Sequence, residues 1–275
     1  MGVVGHVEWV QFAGVEHVPL AGEVVHATRP FEEPAGGGAV AAVQLARLAG
    51  AATLFTALGD DEPARRTLGR LPELDVEVQA ATDELPTRRA VTLLDSRGER
   101  TIITLGRRLE PPAELLGGAS VPGPRFDGIY FTAGGPEALR LAREATRVLT
   151  ASPRAVHALG HGVEIDALIL SDNDEYEVKL AADHEREADI VVRTDGSHGG
   201  TYTRRDGEPG DWPSCPLPGP LVDGYGCGDS FAAGLTFGLA AGMELDRALT
   251  IAARCGATCA TGHGPYERQL RARDL

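Results

Sequence analysis

Residues 223–234 read Asp-Gly-Tyr-Gly-Cys-Gly-Asp-Ser-Phe-Ala-Ala-Gly, and the reading of this stretch decides the rest. Gly224, Gly226 and Gly228 make a loop able to take backbone angles that other residues resist, and the apolar run from Ser230 onward has helical length. Backbone N–H groups exposed where a loop enters a helix, with the positive end of the helix dipole behind them, form a site for an anion. Asp229 stands at that junction, where a carboxylate can take a proton from a group next to the bound anion. On these residues alone a second reading is equally open, in which Asp229 and Ser230 only cap the helix. No Lys follows the last glycine, so the stretch is not a P-loop, and it lies too near the C-terminus for a dinucleotide fingerprint.

Outward from this stretch, short aliphatic runs alternate with longer Ala/Leu/Arg segments, which predicts an α/β fold with a mainly parallel sheet. The predicted strands are 3–10, 52–57, 128–132, 167–170 and 190–193; the predicted helices are 39–48, 62–71, 136–149, 176–181, 230–241 and 245–260. Two regions break the rhythm. Val15–Ala27 and Thr87–Thr104 read as period-2 strands with turns, the second through Asp95-Ser96-Arg97-Gly98, and suggest a small sheet over one end of the main layer. At 275 residues, with no linker or fixed repeat, the expectation is one domain spanning 1–275 with lid segments at about 13–28 and 86–105.

Forty acidic side chains against 26 basic ones leave a formal charge of −14, which opposes nucleic acid and anionic membranes as partners. The apolar stretch 35–59 carries Gln44 and Arg47 and reads as a helix followed by a strand rather than a membrane span. Cys215, Cys227, Cys255 and Cys259 lack zinc spacing and are expected to be reduced thiols in a cytoplasmic protein.

The stretch at 223–234 resembles the second signature of the ribokinase (PfkB) family of carbohydrate and nucleoside kinases, D-T-x-G-A-G-D-x-F-x-x-G, through Asp223, Gly226, Gly228, Asp229, Phe231 and Gly234. Gly36-Gly37-Gly38 and the following apolar run resemble the first signature, whose glycine pair contacts the sugar. Further matches come in family order. Pro19-x-x-Gly22-Glu23, Thr87–Ala90 and Gly98–Thr101 look like lid segments, and Gly59-x-Asp61 looks like the continuation of the first signature. The resemblance implies a ribokinase-like three-layer αβα fold with a β-sheet lid, ATP and Mg2+ as donor and metal, and Asp229 as catalytic base. Gly226, Cys227 and Gly228 would hold the transferring phosphoryl group, and Gly36, Gly37, Gly38 and Glu8 would meet the acceptor. Thr194, Gly196 and Gly199 resemble the T-x-G-x-x-G bordering the nucleotide. Asp172 and Glu175 occupy the place of N-x-x-E, which organises magnesium through water, and Asp223 the place that in many relatives helps bind a monovalent cation such as K+.

Two positions depart from the family. Val10 stands where relatives carry an acceptor-binding aspartate, and Glu8, two residues earlier on the same strand face, is expected to replace it. Val40 or Ala41 replaces the asparagine after the glycine pair, which removes a paired donor and acceptor. The readings carried forward are an ATP-dependent kinase of a sugar-like acceptor, a nucleoside kinase of the same family, or a non-catalytic ligand-binding member. A homodimer through the lid is expected by analogy. A nicotinamide oxidoreductase is set aside, because no apolar strand precedes Gly36.

Overall fold

The computed structural model describes residues 1–117 and 125–275. Thirteen strands and six α-helices follow one another as β1 (Gly2–Val4), β2 (Glu8–Gly14), β3 (Thr28–Ala35), α1 (Gly37–Ala49), β4 (Ala52–Gly59), α2 (Glu62–Arg70), β5 (Val76–Asp83), β6 (Arg89–Leu94), β7 (Arg100–Leu105), β8 (Phe126–Phe131), α3 (Pro136–Ala145), β9 (Thr146–Ala151), β10 (Ile165–Ser171), α4 (Glu175–Ala181), β11 (Ala188–Thr194), β12 (Gly200–Arg204), β13 (Gly210–Trp212), α5 (Cys227–Ala240) and α6 (Leu245–Cys259). They build a nine-stranded sheet in the order β13-β12-β11-β10-β9-β8-β1-β4-β5, parallel from β11 to β5, and a four-stranded sheet β3-β2-β6-β7. The hairpin β12–β13 extends the β11 edge antiparallel.

The central sheet is apolar on both faces, as a parallel sheet covered by helices requires. Adjacent residues of β1 show it: Val3 belongs to the core beneath α1, α5 and α6, and Val4 to the core beneath α3. The result is the expected three-layer α/β fold with a small second sheet.

The predicted strand 3–10 divides into two. At Gly5 a Cβ would lie 2.6 Å from Thr132 Cγ2 and 2.7 Å from Gly38 Cα, so the chain turns there through a gap only glycine fits. β1 stays in the central sheet, and β2 begins the second sheet with Glu8 as its first residue.

The first lid region also shifts. Val15–Ala27 contains no strand; it is a largely exposed loop in which Glu23 accepts the Leu20 N–H at 2.9 Å and pairs with His17 at 2.8 Å. The strands of the second sheet are its flanks, β2 and β3. Pro30 and Pro34 hid β3 from the pattern, and the structure tolerates them because β3 is an edge strand. The region Thr87–Thr104 forms the expected strand pair, β6 and β7, joined at Asp95–Gly98. The predicted helix 136–149 stops at Ala145, where Thr146-Arg147-Val148 turns extended and enters the sheet as β9. β5, β12 and β13 are further strands missed by the pattern. The β9-to-β10 connection has no α-helix, only a short 3-10 turn at Pro153–Ala155, which accounts for the chain's economy of length there.

Candidate active site

Two helices begin at the C-terminal ends of the parallel strands, where open α/β sheets place their ligands. α1 starts at Gly37 behind Gly36, whose φ of +87° suits glycine, and α5 starts at Cys227 behind Gly226 with φ +78°. Their first turns meet. A Cβ on Gly37 would fall 2.9 Å from Asp229 Oδ1 and 3.3 Å from Thr132 Oγ1, and one on Gly36 would meet the His6 ring at 3.2 Å and Glu8 Cγ at 3.3 Å. The glycine pair therefore keeps open a space bounded by Asp229, Thr132, His6 and Glu8.

The capping reading of Asp229 does not survive the geometry. Gly226 is the N-cap, Asp229 lies in the first helical turn, and its carboxylate accepts no hydrogen bond from a described residue. The N–H groups of Cys227, Gly228 and Asp229 likewise have no acceptor among the described residues, leaving a bare helix N-terminus around a free carboxylate. Burial, and then the Glu177 charge, push Asp229 up to about 6, against the opposing pull of Arg154 and Arg100.

Glu8 is buried, with Arg88 Nε at 3.2 Å and His6 Nε2 at 3.7 Å. Burial raises its pKa against the pull of Arg88, Arg108 and Arg154. Burial, and then the same three guanidiniums, hold His6 down at about 3 so that it stays neutral, and its Nδ1 has no partner among the described residues. Arg88 donates no hydrogen bond to a described residue, although its Nε is buried. Val10, the position of the missing aspartate, is fully buried in the lid sheet between Glu33 and Ala90.

Gly224 ties the glycine loop to the lid, its N–H donating to Gly98 O at 3.2 Å, with Arg100 Nη1 3.4 Å from the place of its absent Cβ. Asp223 braces the loop from inside. Its Oδ1 accepts Tyr225 N–H at 2.7 Å and its Oδ2 Gly264 N–H at 2.9 Å, while burial raises its pKa. Cys259 Sγ lies 3.4 Å from the Tyr225 carbonyl on the same loop.

The acidic pair at 172 and 175 is parted. Asp172 pairs with Arg193 at 3.1 Å, and Glu175 is exposed without a hydrogen bond or ion pair to a described residue. The same acid-x-x-Glu spacing recurs two residues on, and there the structure brings the carboxylates together: Asp174 and Glu177 both bind the Arg154 guanidinium, and it is Glu177 that Asp229 feels. That repeated spacing was the available signal. Nothing in the pattern announced Arg154, His6, Arg88 or Arg100.

Thr194 ends β11 and Gly196 lies in the β11–β12 loop, both beside this segment, with Asp172 N–H on Thr194 O at 2.9 Å and Asn173 Nδ2 on Asp195 Oδ1 at 3.1 Å. Gly199 serves packing: a Cβ there would lie 2.2 Å from Trp212 O. Gly234 does as well, since its Cβ would lie 2.8 Å from Ala252 Cα of α6.

A bare helix N-terminus around an unpaired acid, set against a second glycine-led helix, defines the phosphate-handling class of α/β folds. The family model for pfkB family carbohydrate kinases matches residues 2–111 and 147–272, and the chain belongs to that family. A ribokinase of Dictyostelium discoideum is 31% identical over 106 residues, 38% of this chain and 33% of that protein. An acarbose 7(IV)-phosphotransferase of Actinoplanes sp. is 39% identical over 75 residues, 27% of this chain and 25% of its length. These matches thus span a third or less of the relatives' lengths. Among solved structures, a microbiome-derived acarbose kinase superposes with a TM-score of 0.79 at 20-odd per cent identity (22%), covering 99% of this chain and 96% of that one.

Proposed function

We propose that the protein transfers the γ-phosphoryl group of ATP to a hydroxyl of a sugar-like acceptor, with Asp229 as general base. The observation that carries this reading is the free Asp229 carboxylate, near pKa 6, between the unpaired N–H groups of α5 and the gap held open by Gly36 and Gly37. The acceptor hydroxyl gives its proton to Asp229, its oxygen bonds to the γ-phosphorus, and the bond from that phosphorus to the β–γ bridging oxygen breaks as ADP leaves. The N–H groups of Gly226, Cys227 and Gly228 stabilise the charge on the moving phosphoryl oxygens, as fixed donors do. Gly38 acts indirectly, by packing on Gly5 and donating to His6 O at 3.1 Å.

Glu8, His6 and Gly36–Gly37 position the acceptor, the neutral imidazole offering one donor and one acceptor where the family's amide is missing. Arg154 and Arg100, whose fields reach Asp229, offset phosphate charge. The hard carboxylate oxygens of Asp174 and Glu177 fit Mg2+ held through water, and bound magnesium would neutralise the donor's phosphates. Thr194 and Gly196 border the nucleotide. A cleft of about 290 Å3 lined by Cys215, Pro216, Arg254, Ala257 and Thr258 takes the base, beside the end of α6 where Ala260 O accepts the N–H groups of Val222 and Asp223. The lid closes over the acceptor and excludes water, and its free β7 edge pairs with a second copy.

The test is acceptor-dependent ADP release over a panel of sugars, polyols and nucleosides, with ribose and acarbose first because relatives carry those names. Turnover with a sugar-like acceptor supports the reading. Silence with every acceptor sinks it in favour of a ligand-binding role.

A further inference from the structure

Away from Asp229, a cleft of about 310 Å3 opens between the last turn of α1, the segment after α2, the lid strand β3 and residues 263–267. Phe31, Leu74, Pro265 and Tyr266 give it apolar walls, and Arg47 and Arg70 stand at its rim. The two arginines differ. Arg70 is spent on Glu33, through Nε at 3.0 Å and Nη2 at 2.9 Å, and on Glu73 at 2.9 Å. Arg47 is half-buried and makes no hydrogen bond or ion pair with any described residue. Burial and the nearby guanidiniums of Arg271 and Arg70 work against its charge, and only Asp75 favours it. The negative end of α1 gives some compensation, but the planar fork keeps no hydrogen-bond partner among the described residues. Two carboxylates also line the cleft, but Glu33 is held by Arg70 and Glu267 accepts the His263 N–H, so Arg47 is the charged group there that has no partner among the described residues, and beside an apolar recess its fork can take an anion.

The wall of this cleft is shared with the machinery of the active site. Gly264 N–H donates to Asp223 Oδ2, Pro265 Cβ lies 3.3 Å from where a Gly226 side chain would begin, and Tyr266 Oη donates to Pro34 O of β3 at 2.6 Å. One short segment therefore braces the glycine loop on one side and the base of the lid on the other.

We propose that this cleft is a second ligand site, for a small organic anion, in which the Arg47 fork takes a phosphate or carboxylate group and Phe31, Pro265 and Tyr266 take the apolar body. Occupancy stiffens 263–267 and so is felt at the lid base and the glycine loop. The assignment is independent of the reaction proposed above.

The test is calorimetric titration of the full chain with phenyl phosphate and benzoate, which separate the two anion classes, and with phenol as the uncharged control. Binding of either anion but not of phenol is expected, weakened about tenfold or more in Arg47→Met and unchanged in Arg154→Met. Amide exchange should slow in 28–35 and 263–267 on binding. No binding by the wild-type chain, or loss with Arg154→Met in place of Arg47→Met, overturns the proposal, the latter by putting the anion in the active site. If Arg47→Met lowers thermal stability, Arg47→Lys is read instead, because it keeps the charge and loses the fork; affinity equal to wild type in that variant also overturns it.

Discussion

Asp229 combines two properties that capping would have prevented, an unpaired carboxylate and a pKa raised to about 6. A base must be ionised, so turnover should fall as pH drops through about 6, which a pH–rate profile at saturating acceptor reads. The stability consequence has the opposite direction. A raised acid binds more protons folded than unfolded, so its ionisation costs stability progressively from pH 4 to above 6. Asp229→Asn should therefore lose about 10²–10⁴-fold in turnover. The same variant should gain about 1–2 kcal/mol of stability at pH 7, less than the roughly 3 kcal/mol of the full shift because the side chain is only partly buried and solvent screens it. Paired melts at pH 7 and pH 4 check this, the gain disappearing at the lower pH. Near-wild-type turnover in the variant would remove Asp229 as the base. At Glu8, the Arg88 pair and the His6 contact meet the requirement that a buried carboxylate have partners. Glu8→Gln should raise the acceptor KM about tenfold and leave the ATP KM unchanged, the loss of one charged contact. Equal effects on the two constants would take Glu8 out of the acceptor site.

Most elements were legible because helices and parallel strands repeat apolar residues at fixed periods. α1, α2, α4 and α6 lie within a few residues of their predicted bounds. α5 begins three residues earlier than its apolar run, at Cys227, because the glycine-rich stretch reads as loop although Cys227, Gly228 and Asp229 already form the first helical turn. The breaks were less visible: nothing local says that the run 3–10 must leave one sheet and enter another, since Gly5 is required by Thr132 and Gly38, which come from distant segments. The second sheet is anchored by a similar long-range contact. Asp61 caps α2 through Ala64 N–H at 2.9 Å and also holds Thr87, accepting its N–H and its hydroxyl at 2.8 Å each. Thr87 Oγ1 in turn accepts Gly59 N–H at 2.9 Å. Asp61→Ala removes the cap and both Thr87 bonds together, so it should cost about 2–3 kcal/mol in denaturant unfolding. It should also speed amide exchange at 87–94, whereas a cost confined to α2 would mean that Asp61 does not anchor the lid.

At the scale of the molecule, the lid sheet leaves β7 as an unpaired edge, with Ile103 51% and Leu105 44% exposed. Such an edge invites another strand. Sedimentation velocity should show a dimer that Ile103→Lys converts to monomer, and a wild-type monomer at all concentrations would refute lid pairing. By itself the sequence determined the layered α/β class, the position of the glycine loop and the identity of Asp229, because each depends on residues close in the chain. The partners that make those residues work were decided only by the tertiary structure. It brought Gly37 against Asp229, set Glu177 rather than Glu175 into its field, buried His6 and Arg88 around Glu8, and left Arg47 without a partner among the described residues. The reason is physical: backbone conformation and helix dipoles are local, whereas burial and charge fields depend on which distant segments the fold packs together.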